Sequence, residues 1–170
     1  MKNLLQNIQS ISGYYTKVLN SEDVVDIFEI LKTNQEYTQL IGEEASLTSA
    51  QNILADLPPD KTLEDKMVIG FYQQDKLVAI VDLVQDYPAS QHIFLGLLIV
   101  DKRYQGQGKG SFILRGLLSA ISKSGFSYCD IGVIDKNERA INFWRKNSFS
   151  RTGVAYNHQN YNVIMMSKHI

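Results

Sequence analysis

YQGQGKGSF, residues 104–112, sets three glycines at alternating positions directly after an apolar run and directly before a helical pattern. Strand, glycine loop and helix in that order point main-chain N–H groups at an anion. The first N–H groups of a helix lack intrahelical partners, and the helix dipole adds positive potential there. Gly106, Gly108 and Gly110 carry no Cβ, so a phosphate could approach the main chain closely. The dinucleotide fingerprint GxGxxG and the P-loop GxxxxGK[ST] both fail on spacing, because the glycines here run GxGxG and Lys109 is followed by Gly110. The plain alternative is a tight, glycine-rich strand-to-helix turn.

Working outward, Ile113, Leu114, Leu117, Leu118 and Ile121 mark one face of the helix that follows, and Gly125 suits its C-terminal stop. Residues 128–134 read as a strand, 137–147 as a helix, and 149–156 and 161–167 as two late strands. Upstream, residues 92–100 are apolar at odd and even positions, which predicts a central strand covered on both faces. Residues 67–72 and 77–84 are strands joined by a hairpin at 73–76, and 86–90 form a turn. Nearer the N-terminus, 14–19 reads as a first strand and 35–41 as a short helix, with Thr48 capping another helix that ends before Pro58. Ser21 is the expected cap of the first helix, with Val24, Val25, Ile27, Phe28 and Leu31 on its buried side. Interleaved helices and strands predict an α/β domain of two or three layers.

The chain has 170 residues, 44% apolar and 21% charged, with 17 basic against 18 acidic side chains. That length suits one domain, and the balanced charge suggests neither nucleic acid nor an anionic membrane as partner. One cysteine, Cys129, excludes an internal disulfide, and no Cys/His cluster offers a metal site. The first residues are too polar for a signal peptide, and no run nears the ~20 apolar residues of a membrane span. The expectation is a cytoplasmic protein without a metal.

Two blocks together resemble the GCN5-related N-acetyltransferase (GNAT) superfamily. Residues 105–110, Gln-Gly-Gln-Gly-Lys-Gly, fit that family's coenzyme A loop [QR]-x-x-G-x-[GA]. Residues 137–144, Asn-Glu-Arg-Ala-Ile-Asn-Phe-Trp, fit its N-x-x-A-x-x-F-Y block up to the last position. Ahead of the loop, Lys102 replaces the usual proline, and Ser148 stands for glycine before Phe149. The resemblance implies one N-acetyltransferase domain over residues 1–170, its motif-bearing core about 92–150. The implied fold is a mixed, mostly antiparallel sheet with two splayed parallel strands and helices on both faces. It implies acetyl-coenzyme A as cosubstrate, its pyrophosphate on Gln105, Gly106, Gln107, Gly108, Lys109, Gly110 and Ser111. The pantetheine arm would lie along the main chain of Leu98, Ile99 and Val100, with Asn137 and Phe143 beside it. Lys102, Arg103, Lys109 and Lys146 are within sequence reach of the 3′-phosphate.

Acetyl transfer needs an acceptor amine that sheds its proton, because an alkylammonium titrates near ~10.4. A main-chain N–H at Leu98 or Ile99 could face the oxyanion. For the proton, the candidates are Asp82, an acid inside the run VAIVDLV, and His92 at the start of the central strand. Each has a plainer reading: Asp82 as a solvent-facing or turn-bonded residue, His92 as a surface residue. Trp144 stands where the family has a tyrosine, and an indole is not a general acid. Either the thiolate leaves unaided, or another hydroxyl such as Tyr128 or Tyr156 serves. Tyr37, Tyr72 and Tyr87 could line a pocket for a small-molecule or peptide amine. A late strand edge leaves a homodimer open. The rival readings are a coenzyme A-binding module without turnover and an interaction protein with a structural glycine turn.

Overall fold

The structure is a computed structural model and describes residues 1–157 and 160–170. The elements follow in chain order as α1 (Lys2–Gln9), β1 (Tyr15–Val18), α2 (Val24–Thr33), α3 (Gln35–Leu40), α4 (Leu47–Ala55), β2 (Lys66–Gln73) and β3 (Lys76–Gln85). The second half holds β4 (His92–Val100), α5 (Lys109–Lys123), β5 (Tyr128–Ile134), α6 (Glu138–Lys146), β6 (Ser150–Asn157) and β7 (Asn162–His169). The described strands form a seven-stranded sheet in the order β1-β2-β3-β4-β5-β7-β6. All neighbours are antiparallel except β4 and β5. This is the α/β fold the motifs imply.

Two cores hold the layers together. On one face, α1, α5 and α6 place Leu4, Ile8, Ile113, Leu117, Ile141 and Trp144 against Ile69, Val81, Ile93, Leu95 and Ile131. On the other, Val24, Ile27, Ile30 and Leu31 of α2 and Ala50 of α4 cover Val68, Ile80 and Ile99. That second cluster takes no residue from β5, β6 or β7 among the described residues. One face of the sheet is therefore helix-covered across β1–β4 only.

Several local expectations shift. The helix α1 was not legible in the pattern, because only Leu4 and Ile8 of its eight residues are buried. The first cap is Asn20 rather than Ser21: its side chain accepts from Glu22 N–H, and Asp23 returns a bond to the Asn20 N–H. Likewise Ser46, not Thr48, caps α4 through a reciprocal pair with Ser49. On α2, Val25 is exposed and Ile30 is buried in its place. Central β4 is covered on both faces only in part: Ile93 and Leu95 are buried, whereas Gly96 is exposed and Phe94, Leu97 and Leu98 are half-buried.

Candidate functional site: a fork between two parallel strands

β4 and β5 pair only over His92↔Tyr128, Ile93↔Cys129 and Phe94↔Asp130, and then part. A bulge adds to the divergence. Against β3, Leu95 faces Leu83 and Leu97 faces Asp82, so Gly96 is the extra residue. Such a bulge bends its strand and re-aims the groups around it. Phe94 floors the gap: a Cβ at Gly96 would lie 3.7 Å from its ring, and one at Gly132 on β5 would lie 3.8 Å away. Tyr87, from the turn before β4, meets the Phe94 ring edge-on at 5.4 Å.

The mouth of the fork carries the glycine loop. Gly106 and Gly108 have φ of +75° and +76°, and a Cβ on either would meet nothing within 4 Å. Their glycine character is thus demanded by left-handed backbone at the edge of open space. Gly108 caps α5, whose first-turn N–H groups face out from the loop. Gly110 differs: its φ is ordinary, and a Cβ would touch the Phe143 ring at 3.5 Å and Val100 Cγ2 at 3.7 Å. Gln105 is turned inward and donates from Nε2 to Asn34 Oδ1 and to Val100 O, both at 2.7 Å. Its side chain braces the loop, which leaves the main chain to meet a ligand. The Val100 carbonyl, expected to meet the pantetheine arm, is already engaged by Gln105 and by Asn34 at 3.2 Å.

On the opposite wall, Asn137 caps α6 with Oδ1 accepting from Ala140 N–H at 3.0 Å, leaving its amide NH2 to donate. Arg139 donates to Gln105 Oε1 at 2.7 Å, so α6 and the loop are tied. Three of the four basic residues considered for a phosphate have partners: Lys102 with Glu36, Arg103 with Asp101, and Lys109 with Gln73. Lys146 is exposed on the last turn of α6. Ser111 Oγ accepts a long bond from Asn147 at 3.5 Å.

Asp82 is neither solvent-facing nor bonded to a turn. Its Oδ2 accepts from Lys66 Nζ at 2.6 Å, and the two side chains are 14% and 3% exposed. The same Oδ2 would lie 2.9 Å from a Cβ on Gly96. Its Oδ1 is buried without a hydrogen-bond partner. Burial pushes the Asp82 carboxyl above its ordinary range, with Asp56 adding to it and Lys66 opposing it. Close by, burial raises the Tyr37 hydroxyl to about 12, helped by Tyr161, Glu43 and Asp82.

His92 is not brought to this place. It lies at the closed end of the fork, Nδ1 2.5 Å from Asp130 Oδ2 and its ring stacked on Tyr128 at 4.5 Å. Four residues of strand, roughly 13 Å, separate it from Gly96. Tyr128 is held there too, remote from the mouth, and Tyr156 stands exposed on the edge strand β6. Trp144 is buried edge-on between Phe143 and Phe149, each at 5.0 Å, so the residue in the tyrosine's place is packing. Cys129 is fully buried on β5, and burial pushes its thiol far up. Lys66 is the residue that sequence reasoning missed.

Among the described residues, no helix is long and apolar enough to cross a membrane, and no group of three or more His, Cys, Asp or Glu could hold a metal ion. A family model described as "Acetyltransferase (GNAT) family" matches residues 25–149. No curated protein matches the chain. Among solved structures, the fold is similar to an acetyltransferase from Thermus thermophilus, at 17% identity and TM-score 0.72, covering 94% of this chain and 99% of that one. It is also similar to the PaiA N-acetyltransferase of Thermoplasma acidophilum in complex with coenzyme A, at 17% identity and TM-score 0.66, covering 92% and 99%. A third is a Salmonella typhimurium acetyl transferase that modifies the N-terminal serine of ribosomal protein L7/L12, at 14% identity and TM-score 0.71, covering 94% and 96%.

Proposed function

The chain belongs to the GNAT acetyltransferase family and is an acetyl-coenzyme A-dependent N-acetyltransferase, and from that premise we propose that it acetylates a primary amine presented at Gly96, with Asp82 as the proton acceptor. The observation that carries this reading is the Asp82 carboxylate leaning on exposed Gly96 where β4 and β5 part, with one oxygen unpartnered.

The residues present suit the cosubstrate. The left-handed glycines and the first turn of α5 form an anion cradle for the pyrophosphate across Gln105–Ser111. The parted strands leave a slot beside Leu98, Ile99 and Val100, walled by Phe143 and the Asn137 amide. Acetyl-coenzyme A supplies the thioester. Asp82 takes the proton from the amine nitrogen as the C–N bond forms, and the N–H of Leu98 or Ile99 faces the oxyanion. Among the described residues, Trp144 is packed in the place of the family's tyrosine acid, and Tyr128 and Tyr156 stand away from the mouth of the fork. A thiolate that titrates near ~8.5 leaves unaided as the C–S bond breaks. Buried Cys129 has no part in the transfer.

The acceptor class is a small-molecule amine or a peptide amino terminus, since the second core takes no residue from β5, β6 or β7 among the described residues and the edge strand β6 is exposed along its length. The test is coenzyme A thiol release with a panel: peptides with free amino termini, the same peptides blocked at the terminus but carrying lysine, and polyamines. Mass spectrometry then identifies the acetylated product. Asp82→Asn should slow release by about 100-fold or more while coenzyme A still raises the melting temperature. Undiminished release would remove Asp82 from the mechanism.

A further inference from the structure

A lysine with 3% side-chain exposure at the start of β2 calls for a reason. Lys66 lies diagonal to Asp82 across the β2–β3 ladder, where Lys66 faces Val84 and Val68 faces Asp82. It points to the face that carries Val68 and Ile80, among apolar side chains of the second core. Two apolar residues would fill that space at least as well, because desolvating a buried ion pair commonly offsets its attraction. Stability therefore does not account for the pair.

Its geometry has a different consequence. The ammonium holds Oδ2, the oxygen nearest Gly96, and leaves Oδ1 buried and unpartnered. The groups bearing on Asp82 are Lys66 from β2, Asp56 at the end of α4 and Tyr37 from α3. Asp56 is an anion and Tyr37 a neutral phenol, so Lys66 is the cation among them. A carboxylate in this setting without Lys66 would hold a proton more tightly and could not accept one from an amine.

We infer that Lys66 is a positioning residue of the acetyl transfer: it fixes the Asp82 carboxylate beside Gly96 by holding Oδ2, leaves Oδ1 without a hydrogen bond, and keeps that carboxylate ionised. This rests on the reading of Asp82 as proton acceptor. The protein thus carries its base as a buried two-residue unit, one member on β3 and the other on β2.

The experiment follows the Asp82 side-chain carboxyl carbon by NMR through a pH titration, the resonance being assigned by its absence in Asp82→Asn. In Lys66→Met the titration midpoint should move upward, and Lys66→Arg should bring it back towards the original. Lys66→Gln, which keeps a donor but no charge, takes the place of Met if that variant does not fold. With the fastest acceptor from the panel, the uncharged variant should lose kcat/KM roughly tenfold on the acid side and recover at high pH. A midpoint unmoved in a folded, uncharged variant would overturn the role, even if the melting temperature dropped. Full turnover in Asp82→Asn would instead sink the base assignment, and the NMR midpoint would still report whether Lys66 controls that carboxylate.

Discussion

A Cβ on Gly96 would stand 2.9 Å from Asp82 Oδ2, closer than side-chain carbons approach an oxygen in folded proteins. The bulge in β4 and the acid in β3 are thus fitted to each other. Gly96 has ordinary φ, so alanine suits its backbone and the substitution acts through its methyl alone. Gly96→Ala should displace the carboxylate and reduce kcat by about 100-fold, the cost of a misplacement near 1 Å. The melting temperature should fall by only a few degrees. Steady-state kinetics beside a thermal melt checks both, and unchanged kcat would contradict the placement of Asp82.

The glycine loop separates two kinds of glycine. Gly106→Ala and Gly108→Ala force an L-residue into left-handed backbone, at about 1–2 kcal/mol each. For a chain of this length that lowers the melting temperature by roughly 2–8 °C, and affinity for acetyl-coenzyme A should fall with it. Gly110→Ala keeps an allowed φ and gains ordinary contact with Phe143 at 3.5 Å. It should be the mildest of the three. Calorimetric titration with coenzyme A ranks them.

Cys129 gives a test of direct transfer. Its thiol is fully buried and pushed upward by that burial, so it is neither reachable nor nucleophilic in the folded chain. Native protein should resist iodoacetamide and keep its turnover, and Cys129→Ala should retain kcat with a modest loss of stability. An acetylated Cys129 trapped during turnover would overturn direct attack.

Tyr37 ties the site to alkaline stability. Its hydroxyl is raised to about 12 in the fold, against about 10 in an unfolded chain. Above pH 10 the unfolded chain loses this proton first, so the folded state binds more protons and stability falls as pH rises. The loss grows between about pH 10 and 12, on the order of a few kcal/mol. Denaturant melts across that window should show the decline, and Tyr37→Phe should flatten it.

Much of this was legible in the sequence. Apolar periodicity located β2 through α6, and the two motifs singled out the glycine loop and Asn137 as parts of one expected cosubstrate site. What escaped was tertiary. Lys66 at a strand end reads as a solvated charge, and its partner is 16 residues away, on the next strand. Only the ladder register makes them diagonal neighbours. His92 has the same difficulty reversed: its partner Asp130 is 38 residues on, so sequence could not reveal that the imidazole is committed at the closed end. The caps moved by one or two residues because Asn20 and Ser21, or Ser46 and Thr48, offer comparable oxygen acceptors to the N–H groups of a helix start.

The seam between β4 and β5 is stitched by three residue pairs. Either side of it, β1–β4 and β5–β7–β6 pair as antiparallel leaves, the β6–β7 ladder being broken between Arg151 and Ala155. The sheet is therefore two antiparallel plates joined along a short parallel seam. A molecule lying in the slot would splint them, lending hydrogen bonds where strand pairing stops. On that binding mode, amide hydrogens flanking the slot should exchange more slowly with coenzyme A bound, while those deep in either plate stay unchanged. Substrate occupancy would then be written into the rigidity of the enzyme.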